Sequence, residues 1–195
     1  MKNIKICVVG LGYVGLPLAV AFAKKFAVVG FDINKTRVEQ LRDGVDITKE
    51  LNQEEMHQLS KIDFCADIDK IENCNTYIVT VPTPISRDKK PDLRPLIRAS
   101  EAVGAVLKLG DTVIYESTVY PGVTEDTCIP IVEKISGLKL NQDFYCGYSP
   151  ERINPGDKLH RLKDIKKVTS GSCEAAAIAI DQLYSEIIEA GTHMA

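Results

Sequence analysis

"VVGLGYVGLPLA", at residues 8–19, contains the spacing Gly-x-Gly-x-x-Gly at Gly10, Gly12 and Gly15. Each glycine has a distinct role in a turn that binds the pyrophosphate of a dinucleotide. Gly10 permits a tight turn, Gly12 lets phosphate oxygens approach the backbone because it has no Cβ, and Gly15 lets the following helix pack closely against the sheet. The N-terminus of that helix offers unpaired N–H groups and a partial positive charge to the pyrophosphate. The alternative is a glycine-rich turn that binds no ligand.

The sequence around this loop distinguishes the two interpretations. A dinucleotide-binding loop follows a strand, begins a helix and has an acidic residue about 20 positions further on. The apolar run at 5–10 predicts a buried strand, and apolar residues at helical spacing predict a helix over 13–26. A second short strand is predicted at 27–32, and it ends in Asp32. All the conditions are met, which favours a dinucleotide site.

The charge at the end of the second strand bears on the choice of cofactor. Asp32 is expected to accept hydrogen bonds from the hydroxyls of the adenosine ribose. Its carboxylate would repel a 2′-phosphate, which favours NAD over NADP. Lys35 and Arg37 lie close enough in the sequence to weaken that preference. NAD is therefore the predicted cofactor.

The rest of the chain alternates between strand and helix patterns. This alternation indicates a parallel sheet with helices on both faces, and right-handed crossovers then place the C-terminal ends of the strands along one edge. We therefore predict an α/β fold with a Rossmann-like, doubly wound and mostly parallel sheet. Pro130 lies inside the helix predicted at 122–135 and is unfavourable there, because proline lacks the N–H donor that a helix interior needs. Further strands are predicted at 62–66, 76–82, 111–118, 143–151 and 165–171, and helices at 35–42, within 44–60, and at 91–108, 122–135 and 174–189.

The overall composition limits the classes of partner. The 195 residues carry a net charge of −3, so no strong field for a polyanion is expected and nucleic acid is not predicted as a partner. No apolar run reaches the roughly 20 residues of a membrane span. The six cysteines form no C-x-x-C pair and are expected to be reduced, small apolar residues, which favours a cytoplasmic location. No cluster of His, Cys and Asp has the spacing of a zinc site, so no metal is predicted.

Polar and turn-forming residues follow three of the predicted strands. The segments are "TVPTP" at 80–84, "YESTVYPG" at 115–122 and "GYSPERINPGD" at 147–157. In an open α/β sheet, ligands bind outside the C-terminal ends of the strands. Ser, Thr, Pro and Gly are also common in loops that bind nothing. Three such segments on the edge that carries the glycine loop nevertheless favour a ligand site.

These segments together resemble the UDP-glucose/GDP-mannose dehydrogenase family. The motifs are "GLGYVGLPLA", "FDIN", "VPTP", "ESTVYPG" and "SPERINPGD", and the resemblance extends over essentially the whole chain. The residues after Glu151 are more similar to the branch that oxidises UDP-N-acetylhexosamines, as in the UDP-N-acetylglucosamine 6-dehydrogenases of bacterial surface-polysaccharide pathways. The UDP-glucose branch has a Phe-Leu-Arg-Glu-Gly type of sequence after the same Pro-Glu. Residues 152–156 read RINPG here, with Pro155 in place of the second glutamate, so UDP-glucose is a less expected substrate.

The resemblance implies that the sugar C6 alcohol is oxidised to a carboxylate in two NAD-dependent steps, through a cysteine thioester that water hydrolyses. It places Thr118 where cofactor and substrate meet. Glu151 would activate the hydrolytic water if burial raises its pKa toward neutrality. Arg152, Asn154, His160 and Arg161 are expected to contact the sugar or the diphosphate. The implied cofactor-binding residues are Gly10, Leu11, Gly12, Tyr13, Val14, Gly15, Asp32, Arg37, Val81, Pro82, Thr83 and Thr118.

Two residues with reactive side chains are not assigned to the site. Cys146 lies in the predicted strand at 143–151, and the catalytic cysteine of the family lies elsewhere, so Cys146 is expected to be a packing residue. His57 is expected to be a solvated helix residue.

Members of the family are about twice as long as this chain, and their catalytic cysteine lies beyond a long central helix. Residues 1–195 are therefore expected to be the N-terminal NAD-binding domain of a longer nucleotide-sugar dehydrogenase, without the central helix and the C-terminal UDP-binding domain. We expect this chain to bind NAD without completing turnover, and the whole protein to bind a UDP-sugar and to form a homodimer through the central helix. The alternatives are a UDP-glucose or GDP-mannose 6-dehydrogenase, a β-hydroxyacid dehydrogenase with a similar glycine loop, and a binding module that senses NAD.

Overall fold

Runs of three to five residues, most of them apolar, form the described strands of a single sheet. The computed structural model describes residues 4–86, 88–152 and 162–195. The strands are β1 (Lys5–Val9), β2 (Ala27–Phe31), β3 (Ile62–Cys65), β4 (Thr76–Val79), β5 (Thr112–Tyr115), β6 (Tyr145–Tyr148), β7 (Lys167–Gly171) and β8 (Thr192–Met194). The α-helices are α1 (Gly15–Ala23), α2 (Lys35–Arg42), α3 (Gln53–Met56), α4 (Arg94–Val106), α5 (Ile129–Ser136) and α6 (Glu174–Ser185). Short 3₁₀ helices occupy His57–Lys61, Ile68–Ile71 and Leu162–Asp164.

The described strands follow the order β3-β2-β1-β4-β5-β6-β7-β8. Strand β1 is central and pairs in parallel with β2 and β4. Its side chains alternate between two apolar layers: Ile6 and Val8 pack on the side of α1, α2 and α6, whereas Cys7 and Val9 pack on the side of α4 and α5. Coverage on both faces explains why the strand is continuously apolar. The predicted doubly wound α/β fold is confirmed.

The predicted elements are present, but six of the seven predicted strands end earlier than the sequence patterns indicate, and only β7 ends as predicted, at Gly171. Strand β4 ends at Val79 and strand β5 at Tyr115, so Thr80 and Glu116 lie beyond the ladder, at the edge of the sheet. The helix predicted over 13–26 begins at Gly15. These shorter bounds leave the polar segments in loops at the C-terminal ends of the strands, where α/β proteins place ligands.

The prediction that all strands end along one edge is wrong for the last part of the sheet. Strand β7 is antiparallel to β6, and β8, which was not predicted, is parallel to β7. A parallel pair needs a crossover connection, usually a helix, whereas an antiparallel pair does not. No helix is predicted between the strands at 143–151 and 165–171, and β7 runs in the direction opposite to β6.

Pro130 is accommodated by a change of helix type. The residues before it, Thr124–Cys128, form one π-helical turn, and the α-helix begins only at Ile129. Pro130 therefore lies in the first turn of α5, where no intrahelical N–H donor is needed. The helix predicted over 122–135 is thus two segments. Among the residues that the structure describes, no helix is both long and apolar enough to cross a membrane.

Candidate functional site

The glycine loop joins β1 to α1 and is fixed by the neighbouring strand tips. Gly10 has a φ of 97°, a conformation that favours glycine, and its N–H donates to the carbonyl oxygen of Phe31 at 2.8 Å. A Cβ on Gly10 would lie 3.1 Å from Cγ1 of Val81. The turn therefore needs glycine for its backbone conformation and is close-packed against the tip of β4.

Gly15 provides the close approach between α1 and the sheet. A Cβ on Gly15 would lie 1.9 Å from the carbonyl oxygen of Gly10 and 2.3 Å from Oγ1 of Thr80. The Thr80 hydroxyl lies 2.7 Å from the Gly10 oxygen and 3.1 Å from that of Val9, and it donates into this pair of acceptors. No larger side chain fits at Gly15 without moving the helix off the strand tips.

Gly12 differs from these two glycines because no protein atom requires it. No heavy atom lies within 4 Å of the position that its Cβ would occupy, and its φ is not in the left-handed region. No side chain caps the N-terminus of α1, and within its first turn the N–H of Leu16 donates to the carbonyl oxygen of Gly12 at 3.1 Å. An anion at this helix terminus would explain why a side chain is absent. This geometry fits the pyrophosphate of a dinucleotide.

Asp32 lies half-buried at the end of β2 with its carboxylate held by the backbone. Its Oδ2 accepts from Leu11 N–H at 2.8 Å, and its Oδ1 accepts from Asn34 N–H at 2.9 Å. A carboxylate oxygen has more than one acceptor site, so both oxygens retain capacity for ribose hydroxyls. Asp32 thus connects the glycine loop to the place where a ribose would lie.

Arg37 lies behind the loop and does not line the groove. Its Nε donates to the carbonyl oxygen of Leu11 at 3.0 Å, and its Nη2 pairs with Oδ1 of Asp46 at 2.9 Å. Burial alone would raise the pKa of Asp46, but hydrogen bonds from Thr48 and Arg37 outweigh burial and lower it. Arg37 was predicted among the cofactor residues. In the structure its guanidinium binds Leu11 and Asp46, so it supports the loop and is not placed to bind a 2′-phosphate.

A groove of about 620 Å³ begins at the glycine loop and runs along the tips of β1, β2 and β4. One wall carries Asp32 and the exposed Ile33, and the other is formed by the first half of α4. Its further lining residues include Gly10, Leu11, Gly12, Val81, Pro82, Pro95, Arg98, Ala99 and Ala102. Its size and mixed apolar and polar lining are typical of a cofactor site.

The remaining predicted cofactor residues are placed differently. Val14 is buried, and the side chain of Tyr13 lines a second groove, between α1 and the C-terminal end of α6. The hydroxyl of Thr83 is buried and has no hydrogen-bond partner among the described residues, and Thr118 is exposed. Tyr13 can contribute its backbone to the loop, but it is not among the residues that line the groove at the strand tips.

The segment after β5 is tied to the segment after β4. Ser117 is buried, and its hydroxyl donates to the carbonyl oxygen of Val81 at 2.6 Å. The hydroxyl of Tyr148 on β6 donates to the carbonyl oxygen of Ser117 at 3.4 Å. These bonds connect the segment that carries Thr118 to Val81, a lining residue of the groove, while Thr118 itself is exposed and is not among the residues that line the groove.

A buried ion pair that no sequence motif indicates lies next to these segments. Lys167 Nζ pairs with Oε1 of Glu116, and the Tyr184 hydroxyl donates to Oε2 of Glu116 at 2.6 Å. Glu151 follows β6 and has one buried carboxylate oxygen, and the exposed Arg152 donates to the carbonyl oxygen of Lys166 at 2.8 Å. The predicted substrate residues Asn154, His160 and Arg161 lie outside the described residues.

The residues set aside by the sequence analysis are placed as expected. Cys146 is buried in β6, and burial raises the pKa of its thiol, which opposes a nucleophilic role. All six cysteines are free, and His57 is exposed. In the described ranges no group of three or more His, Cys, Asp or Glu side chains could hold a metal ion.

Comparisons with known proteins agree with this geometry. The NAD binding domain of the UDP-glucose/GDP-mannose dehydrogenase family matches residues 4–188. The chain is 60% identical over all 195 residues to UDP-N-acetyl-D-glucosamine 6-dehydrogenase of Pseudomonas aeruginosa, and it covers 46% of that protein. It is 35% identical over 190 residues to UDP-N-acetyl-D-mannosamine dehydrogenase of Pyrococcus horikoshii, covering 95% of this chain and 45% of the relative.

The fold is also similar to that of a solved structure from Pyrococcus horikoshii. The UDP-D-ManNAc dehydrogenase of Pyrococcus horikoshii superposes with a TM-score of 0.88 at 33% identity, over 97% of this chain and 46% of the other. The chain thus spans about half the length of the curated relatives it matches.

Proposed function

Because the chain belongs to the UDP-glucose/GDP-mannose dehydrogenase family, we propose that it is the NAD-binding half of a UDP-N-acetylhexosamine 6-dehydrogenase. The proposed substrate is UDP-N-acetylglucosamine, whose C6 alcohol is oxidised to the uronic acid for bacterial surface polysaccharide. The observation that carries this proposal is the 60% identity over the whole chain to a dehydrogenase named for that sugar, against 35% to one named for the mannosamine epimer. The family match disfavours a β-hydroxyacid dehydrogenase.

NAD is the cofactor of this domain, and it supplies the hydride acceptor of the reaction. The N-terminus of α1 and the open side of Gly12 would hold the pyrophosphate, with Asp32 on the ribose. Ile33 and the wall formed by α4 would enclose the adenosine end of the groove. The protein's contribution in this half is binding and orientation.

The segments after β5 and β6 would carry the proposed chemistry. Thr118 is exposed and follows Ser117, which bonds to Val81 of the groove, and its hydroxyl would orient the reacting oxygen or a water molecule. Glu151 would take a proton from the water that hydrolyses the thioester, since a carboxylate within hydrogen-bond reach of a water molecule can act as a general base. The nucleophilic cysteine, the UDP site and any dimer contact belong to the whole protein in this proposal.

The test compares the whole protein with the 195-residue chain. We expect the whole protein to convert UDP-N-acetylglucosamine to its uronate with two NADH formed for each uronate, measured by absorbance and mass spectrometry. UDP-N-acetylmannosamine and UDP-glucose serve as competing substrates, and the chain alone should bind NAD without turnover. A higher kcat/KM for UDP-glucose would overturn the assigned substrate, and sustained turnover by the chain alone would overturn the division of roles.

A further inference from the structure

A buried cluster of charges joins the segments that carry Thr118 and Glu151. Glu116 and Lys167 are only 1% and 3% exposed, and they form an ion pair between the end of β5 and the start of β7. Tyr184 of α6 is fully buried, and its hydroxyl donates to the second oxygen of Glu116 at 2.6 Å. Each oxygen of the Glu116 carboxylate therefore has its own donor.

Stability is a weak reason for such a cluster. Removing two charges from water carries a desolvation cost, and apolar residues of similar volume often stabilise a protein as much or more. The central strands of the sheet are packed by apolar side chains on both faces. The presence of the cluster is better explained by its location than by a contribution to folding stability.

The cluster touches both segments of the proposed chemistry. Glu116 lies two residues before Thr118, and Ser117 between them is anchored to the tip of β4. On the other side, Lys167 Nζ lies 3.5 Å from the carbonyl oxygen of Pro150, the residue before Glu151. One ammonium group therefore contacts the ends of β5 and β6 together.

The charge of Glu151 also acts on a member of the cluster. One of its carboxylate oxygens is buried. The pKa of Tyr184 is raised by burial first, then by the charge of Glu116 and its hydrogen bond, and further by the charge of Glu151. Glu151 is therefore close enough to this group for its charge to act there.

We propose that Glu116, Lys167 and Tyr184 are positioning residues, which hold Thr118 and Glu151 at a fixed separation and balance the charge beside Glu151. The inference rests on the proposed function, in which Thr118 and Glu151 act on the substrate. It extends that function to three residues that touch neither cofactor nor substrate.

The charged and titratable groups around Glu151 come from several elements. In the described ranges they are Glu116 after β5, Lys167 on β7 and Tyr184 on α6, with Tyr148 on β6 nearby. Asp181 of α6 is engaged by the hydroxyl of Thr169 at 2.7 Å, and Arg152 is exposed and bonded to Lys166. Among these described groups, Glu116 and Lys167 are the charged side chains that are almost fully buried.

Breaking the pair from either side should move the pKa of Glu151 in opposite directions. Glu116→Gln removes a negative charge and leaves the Lys167 ammonium, which favours the ionised form of Glu151 and lowers its pKa. Lys167→Met leaves the Glu116 carboxylate, which opposes that ionisation and raises the pKa. Tyr184→Phe changes neither charge. Shifts of opposite sign would show that the charges of the pair act on Glu151, and the kcat of the whole dehydrogenase then tests the positioning role.

The first experiment is an NMR titration of isotopically labelled glutamate carboxyl carbons in the 195-residue chain, with Glu151 assigned through Glu151→Gln. We expect Glu116→Gln to lower the pKa of Glu151 by about one unit and Lys167→Met to raise it. The exposed neighbour variant Lys166→Met is the matched control and should leave it unchanged. Circular dichroism verifies folding, and Glu116→Gln, which keeps the side-chain shape, decides alone if Lys167→Met does not fold. An unchanged pKa in Glu116→Gln overturns the proposal.

The second experiment measures the whole dehydrogenase. Glu116→Gln should lower kcat about tenfold or more, because small displacements of reacting groups are costly, while KM for NAD stays the same. The acidic limb of the pH–rate profile should move to lower pH together with the pKa of Glu151. A full kcat in this variant would contradict positioning. If the wild-type protein oxidised no UDP-sugar, the proposed function would fail, whereas the titration would still decide the role of the cluster.

Discussion

Replacing Gly12 with alanine should separate cofactor binding from folding. The position is in the turn before α1, its φ is not in the left-handed region, and no protein atom lies within 4 Å of the added Cβ. Alanine also has less conformational freedom than glycine in the unfolded chain. The free energy of unfolding should therefore be unchanged or increase by up to about 1 kcal/mol.

The same methyl group would occupy space that the pyrophosphate needs. We expect Gly12→Ala to remove one charge-assisted hydrogen bond between a phosphate oxygen and the N–H groups at the start of α1, worth about 1.5 to 3 kcal/mol. At 25 °C this corresponds to a rise in the Kd for NADH of about tenfold to about 150-fold. Fluorescence titration with NADH measures the Kd, and thermal denaturation measures the stability.

Gly15→Ala is the matched control within the same loop. Its Cβ would lie 1.9 Å from the Gly10 carbonyl oxygen, so α1 must move. We expect a loss of stability at or above the upper end of the usual range of about 1 to 3 kcal/mol for overpacking. The reasoning is refuted if Gly12→Ala binds NADH as tightly as wild type, or if it destabilises the chain as much as Gly15→Ala does.

Other substitutions test the acidic residue of the groove and the support behind the loop. Asp32→Asn should weaken NAD binding and raise the NADP affinity relative to NAD, because the charge that repels a 2′-phosphate is lost; calorimetric titration with both cofactors measures the ratio, and an unchanged ratio argues against this role. Arg37→Met should lower the free energy of unfolding by about 3 to 5 kcal/mol, because it leaves the buried Asp46 carboxylate without its charge partner. Denaturant unfolding measures this loss. A loss under about 1 kcal/mol would instead match an exposed ion pair. Since Thr48 and Arg37 lower the pKa of Asp46, its contribution to stability is complete above the ordinary value of 3.8 and is lost as the pH falls through the folded-state pKa. Acid unfolding of Asp46→Asn should lack this dependence.

The cofactor half of the site could be predicted because backbone requirements specify its residues. A tight turn, a close helix approach and an open phosphate site each select glycine, and the requirements recur at a fixed spacing in Gly10, Gly12 and Gly15. The position of the acid is constrained as well, because the residue that follows β2 lies next to the loop, where Asp32 accepts a hydrogen bond from Leu11 N–H. Local chemistry therefore identified both the fold and the groove.

The direction of side chains could not be predicted in the same way. Arg37 follows Asp32 closely in sequence, which suggested a place in the groove, but its guanidinium bonds Leu11 and Asp46 behind the loop. The direction of β7 was also missed, because alternating strands and helices do not reveal a connection that lacks a crossover helix. The direction of the Arg37 side chain and the direction of β7 both depend on contacts between segments that are distant in the sequence, and a local sequence pattern does not indicate such contacts.

The two halves of the site differ in the way their geometry is maintained. The phosphate loop is positioned by main-chain groups of neighbouring segments, so its composition reveals it. The ends of β5 and β6 are positioned by a side-chain ion pair between residues 51 positions apart, completed by a hydroxyl 68 positions from Glu116. No local motif encodes such a pair, and each partner alone is a buried charge with an unfavourable desolvation cost. Substitution of either partner should therefore disturb the proposed chemistry while leaving the dinucleotide groove intact, since the groove is built from β1, β2, β4 and α4.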